Sequence, residues 1–159
     1  MKIEKKLLIN LKSREKLSKI NKIRGDYNEY LAVKHFSKLG YTVIKLVLRK
    51  PVDSTTDWYD YIKNMEQLEC HIDYRIHSEL LRYLKKTDIK GLPDLLCYEE
   101  LKGQNIFFVE CKCDPKQLNE NQKKRFLELD KMGYPIYIFS TKIKKIEIEN
   151  GETSIERFK

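Results

Sequence analysis

Gly91-Leu92-Pro93-Asp94-Leu95-Leu96-Cys97-Tyr98, followed after a turn around Gly103 by Ile106-Phe107-Phe108-Val109-Glu110-Cys111-Lys112, reads as two short strands joined by a hairpin-like return. Side chains two apart on a strand share a face, so Phe108, Glu110 and Lys112 point one way. Phe107, Val109, Cys111 and Cys113 point the other. Neighbours this apolar imply burial on both faces, and a buried carboxylate without a partner costs several kcal/mol. Glu110 therefore needs a cation. Lys112 in a structural ion pair is one answer; a divalent metal, with Lys112 left for chemistry, is the other. Antiparallel pairing would carry Asp94 to Glu110, and two carboxylates that close repel unless a cation sits between them. Hard oxygen ligands of this kind suit Mg²⁺ or Mn²⁺. An aspartate that merely caps the turn after proline is the plainer account of Asp94.

Working outward, Asn119 to Met132 is a predicted helix ending at Gly133, and Pro135 to Phe139 a strand. Asn150-Gly151, between Lys144–Glu149 and Glu152–Phe158, is a two-residue hairpin signal placing a C-terminal hairpin over 144–158. Upstream, a helical period runs from Asp26 to Leu39 and stops at Gly40; Thr42 to Leu48 is β-branched and apolar. Residues 1–25 form a lysine-rich arm. Residues 51–90 read as an insert rather than a second domain, with helices over Trp58–Met65 and Ile76–Leu84. The order helix, strand, insert, strand, strand, helix, strand, hairpin predicts one mixed α/β domain over 1–159.

Two more polar residues fall on faces that should be apolar. With Glu29 at zero and about 100° per residue, Phe36 lies near −20°, Val33 near +40° and Ala32 near −60°. That sets Glu29 in the apolar stripe, although a first-turn glutamate also suits the helix dipole. Asn119 and Gln122 have the spacing of a capping box, while Gln122 also shares the core-facing stripe with Phe126 and Leu129.

The chain has 159 residues, 41% of them hydrophobic, enough for a real core. Its 32 basic and 24 acidic residues leave a net charge of +8, which points to a polyanionic partner, nucleic acid before membrane. Apolar runs are strand-sized and no secretory segment is visible, so a cytoplasmic protein without a membrane span is expected, in a host's cytoplasm if virus- or plasmid-encoded. Cys70, Cys97, Cys111 and Cys113 lack the knuckle spacing of a zinc site and read as free buried thiols.

Gly91-Leu92-Pro93-Asp94, then Val109-Glu110-Cys111-Lys112, then Leu118-Asn119-Glu120-Asn121-Gln122 resembles the PD-(D/E)XK nuclease signature, most closely its VRR-NUC branch. The helix with Glu29 followed by Gly40-Tyr41-Thr42-Val43 is similar to the opening of archaeal-type Holliday junction resolvases. The resemblance covers roughly residues 24–140, interrupted from Pro51 to Lys90. It implies a restriction-endonuclease-like core, a mixed central sheet flanked by helices, here with a helical insert. It implies a Mg²⁺-dependent nuclease, with Mn²⁺ able to substitute, acting on DNA, structured or branched substrates foremost. Asp94, Glu110 and the Cys111 carbonyl would hold the metal. Lys112 would orient or deprotonate the attacking water, Glu29 would ligate directly or through water, and Gln122 would match the branch's glutamine. Homodimerisation through the insert or tail hairpin belongs to the same expectation.

Lys116, Lys123, Lys124 and Arg125 cluster near the Gln122 helix, and Lys22 and Arg24 sit in the arm; such groups grip phosphates without reading sequence. Trp58, Tyr59, Tyr61 and Tyr74 in the insert are candidates for base stacking. The rival functional readings are a non-catalytic nucleic-acid-binding protein on the same core, an RNase, and a structural protein in which Glu110 and Lys112 are only an ion pair.

Overall fold

The computed structural model describes residues 14–46, 55–86, 91–100, 105–113, 117–142 and 152–157. Among the described residues four helices, α1 (Arg14–Lys38), α2 (Thr55–His71), α3 (Tyr74–Lys86) and α4 (Glu120–Lys131), flank a mixed sheet. The strands are β1 (Thr42–Lys45), β2 (Leu95–Tyr98), β3 (Ile106–Lys112), β4 (Ile136–Lys142) and β5 (Glu152–Arg157), in spatial order β1-β2-β3-β4-β5. The first three form an antiparallel meander. β4 returns parallel to β3 after crossing through α4, and β5 pairs antiparallel with β4.

β2 is an unbroken apolar run because both its faces are covered. Leu95 and Cys97 pack with Val109 and Phe139 against Ala32 and Phe36 of α1. Leu96 and Tyr98 join Ile44, Phe108 and Ile136 on the other face, under Leu68, Leu80, Leu81 and Leu84 of the insert and Phe126 and Leu129 of α4. The insert is thus no appendage: α2 and α3 supply much of that layer. Asn64 of α2 also donates to the Lys45 carbonyl at 2.6 Å, covering part of the edge strand β1.

At three points the structure departs from the sequence reading or adds to it. The first helix begins at Arg14 rather than Asp26, because the stretch before Gly25 is rich in strong helix formers and contains no proline, and one helical glycine costs only about 1 kcal/mol. Residues 14–25 of the expected arm therefore belong to α1, and residues 1–13 lie outside the described residues. The second tail strand pairs with β4, with Lys142 opposite Glu152; the expected partner Lys144–Glu149 and the Asn150-Gly151 turn lie outside the described residues. Of the thiols, Cys97 is buried, but Cys70 and Cys113 are exposed and Cys111 half-buried. Buried Cys97 has its thiol pKa pushed up to about 12, an inert packing group. No helix among the described residues is long and apolar enough to cross a membrane.

Candidate metal centre

The β2–β3 ladder pairs Leu95 with Val109, so one further step sets Asp94 across from Glu110. Asp94 is held there from both sides. Its carbonyl accepts from the Leu46 amide at 2.8 Å, and its Oδ2 accepts from the Cys111 amide at 2.7 Å. The turn leading into it depends on Gly91, whose φ of +92° lies in the left-handed region. A Cβ at Gly91 would lie 2.6 Å from the Asn121 carbonyl carbon and 2.8 Å from the Gln122 nitrogen. The Asp94 turn thus packs directly on the first turn of α4.

That first turn carries Gln122, and both sequence readings of it hold together. The Gln122 amide donates to Asn119 Oδ1 at 2.9 Å, and Gln122 Oε1 accepts from the Asn119 amide at 3.1 Å, closing the capping box. The side-chain Nε2 is left to donate to Glu110 Oε1 at 2.6 Å. Lys112 Nζ reaches the same oxygen at 3.1 Å. Glu110 is 2% exposed, and its other oxygen, Oε2, is buried with no hydrogen-bond partner among the described residues. Replacing Asn119 by alanine should cost about 1 kcal/mol and loosen Gln122 from Glu110, seen as a lower midpoint in thermal denaturation.

Burial dominates the electrostatics. It pushes the Glu110 carboxyl up to about 8, with the Asp94 charge adding to the rise and Lys112 and Gln122 opposing it. Asp94 is raised to about 6, again chiefly by burial, with Glu29 adding and the Cys111 amide, Lys112 and Lys45 opposing. Without a cation this pair of carboxyls holds a proton. Among the described residues no group of three or more His, Cys, Asp or Glu side chains is arranged to hold a metal. A cation here would rest on Asp94 and Glu110, the Cys111 carbonyl and water. The unsatisfied Glu110 Oε2 is the observation by which the residues fit one.

Glu29 lies on the Asp94 side of the pair, near enough for its charge to raise the Asp94 carboxyl. The buried face of α1 is Asn28, Ala32 and Phe36, and Glu29 lies on its flank rather than at its centre. It is ion-paired with Lys45 of β1. Sequence reading missed both Asn28 and Lys45. Asn28 is 1% exposed and its Nδ2 lies 3.5 Å from the Phe139 carbonyl; the 28, 32, 36 spacing was the available signal. Lys45 is close enough to lower the Asp94 pKa.

The basic residues divide. Lys22 and Lys124 are exposed and Arg24 half-exposed. Lys123 pairs with Glu120 on the surface. Arg125 donates to Glu128 at 2.9 Å and lies over the Tyr83 ring, while the Tyr83 hydroxyl donates to Glu128. It ties α4 to α3, which its place in a lysine-rich run did not suggest. Lys116 lies outside the described residues, as do the side chains of Trp58, Tyr59 and Tyr61; Tyr74 is exposed. No protein-family model, no curated protein and no solved structure matches this chain.

Proposed function

We propose that the chain is a divalent-metal-dependent nuclease of PD-(D/E)XK type, hydrolysing DNA phosphodiesters at Asp94, Glu110 and Lys112. The observation that carries this reading is the buried Oε2 of Glu110, across from Asp94 and without a hydrogen-bond partner among the described residues. A purely structural ion pair leaves that oxygen unexplained, since Lys112 and Gln122 both bond Oε1. The mixed sheet flanked by helices is compatible with the restriction-endonuclease-like core that the sequence motifs imply.

Asp94 and Glu110, with the Cys111 carbonyl, would hold Mg²⁺ or Mn²⁺, which when bound supplies charge stabilisation for phosphodiester oxygens and a more acidic water. The Cys111 amide fixes the Asp94 rotamer, and Gln122 fixes that of Glu110. Lys112, 22% exposed, reaches from the buried carboxylate toward solvent, where an ammonium can orient an attacking water or hold a phosphate oxygen. Exposed cations such as Lys22 and Lys124 would add sequence-independent grip.

The test is incubation of the purified protein with plasmid, single-stranded DNA, a four-way junction and RNA, in Mg²⁺, Mn²⁺ or EDTA. Cleavage is expected with either metal and none in EDTA, DNA being cut in preference to RNA. The Lys112→Ala variant should bind but not cut. Cleavage that persists in EDTA or in that variant would overturn the mechanism; RNA cut in preference to DNA would make the enzyme an RNase on the same site.

A further inference from the structure

Three antiparallel strands end or begin at the metal centre. β1 finishes at Lys45, β2 starts directly after Asp94 and β3 finishes at Lys112, so two ammonium groups flank the carboxyls across one end of the sheet. Lys45 pairs with Leu95, and the next amide, that of Leu46, holds the Asp94 carbonyl at 2.8 Å. Asn64 Nδ2 fixes the Lys45 backbone from the other edge, at 2.6 Å from its carbonyl. The Lys45 ammonium meets Glu29 Oε2, an oxygen shut off from solvent on a side chain 21% exposed. Glu29, first by that bond, and then the charges of Asp26 and Asp94 raise the Lys45 pKa over the opposing effect of burial, so it stays protonated. Asp94 in turn is a neighbour of both. Behind the larger effects of burial and the Cys111 amide, Glu29 raises its pKa while Lys112 and Lys45 lower it.

We infer that Lys45 is a built-in cation for the Glu29–Asp94 side of the centre, standing where a second divalent ion would have to bind, so that the chain holds one metal ion and Glu29 is not a ligand to it. The inference rests on the nuclease reading and fixes its ion count at one. In two-ion phosphoryl-transfer centres the metals sit roughly 3.5–4 Å apart, so a partner to an ion on Asp94 and Glu110 needs a further carboxylate close beside Asp94. Glu29 is the carboxylate whose charge reaches Asp94 from that side, and it is taken. To ligate there, a second ion would have to expel an ammonium with a fixed backbone and then sit beside a doubly charged neighbour. Asp26 supplies no third ligand: among the described residues no group of three or more His, Cys, Asp or Glu side chains is arranged to hold a metal. Its charge adds to the field that holds Lys45 in place. The two sides of Asp94 thus differ. Toward Glu110 a buried carboxylate oxygen has no hydrogen-bond partner among the described residues, and toward Glu29 the buried oxygen already faces a cation.

Calorimetric titration of the metal-stripped protein with Mn²⁺, without nucleic acid, counts the ions. The wild type should bind one per chain and Asp94→Asn none. Lys45→Met, which keeps the stem and removes the charge, should uncover the Glu29–Asp94 side and bind two, the second more weakly. Lys45→Arg keeps a cation on Glu29 and should bind one. Glu29→Gln should also bind one, with an affinity lowered about tenfold at most, as for a charge outside the ligand set. Combining Lys45→Met with Glu29→Gln should return the count from two to one. Two ions in the wild type, a single ion in Lys45→Met, or loss of the first ion in Glu29→Gln would each overturn the inference and leave the nuclease reading standing. No ion in the wild type would overturn both. The titration involves no turnover, so a wild type that binds one ion as described but never cuts DNA in Mg²⁺ refutes the nuclease reading alone.

Discussion

Glu110→Gln should abolish Mg²⁺-dependent cleavage and, in EDTA at pH 8–9, make the protein more stable than the wild type. Glutamine keeps the size of the side chain and an oxygen to accept from Gln122 and Lys112, but removes the charge that would bind a cation. The stability gain follows from linkage. The folded Glu110 carboxyl sits up at about 8, against about 4.3 for an unfolded glutamate. Between those values the folded protein holds a proton that the unfolded chain has lost, so stability falls as pH rises through the window and levels off above it. Asp94, raised to about 6, adds a smaller fall at the acidic end. For a group this buried the total is on the order of 3–5 kcal/mol, read from urea denaturation of the metal-free wild type at pH 5 and pH 9. Mg²⁺ at pH 9 should recover much of that loss in the wild type and none in Glu110→Gln. A metal-free wild type that grows more stable from pH 5 to pH 9, or a variant that cuts at the wild-type rate, would contradict the site as described.

The second large effect is expected at a residue with no side chain. Gly91→Ala should cost roughly 3–5 kcal/mol, of which about 1–2 is left-handed strain and the rest overpacking. The contact is with backbone: the new methyl would meet the Asn121 carbonyl and the Gln122 nitrogen inside 3 Å, and the first turn of α4 must move to admit it. That turn carries the amide that holds Glu110, so cleavage should fall together with stability. Gly40→Ala is the matched control. Gly40 has nearly the same φ, +89°, but no described residue lies within 4 Å of its would-be Cβ, so only the strain of about 1–2 kcal/mol is expected. Equal losses at the two glycines, measured by chemical denaturation, would show that the close approach at Gly91 is unimportant.

Much of the centre is legible in one dimension because its parts obey short-range periods. Alternation in Ile106–Lys112 assigns Glu110 and Lys112 to one face. A Pro-Asp turn before a short apolar strand, followed by a hairpin return, is enough to carry Asp94 to Glu110. The Asn119–Gln122 spacing encodes its own capping box. Each of these is a relation between residues close in sequence, fixed by strand pleat, turn reach or helix pitch.

What the tertiary structure alone decided lies between elements. Helix periodicity placed Glu29 in the apolar stripe, but the sheet chose the face centred on Ala32, so Asn28 went inside and Glu29 met Lys45 on the flank. Arg125 looked like one more phosphate contact until α3 brought Tyr83 against it. The insert, polar and aromatic by turns, became half of a core layer because Leu68, Leu80, Leu81 and Leu84 found Phe108 and Phe126 across a gap of many residues. A local pattern tells which side chains share a face. Which faces meet is settled by burial summed over the whole chain, and that sum has no signature in any single stretch of sequence.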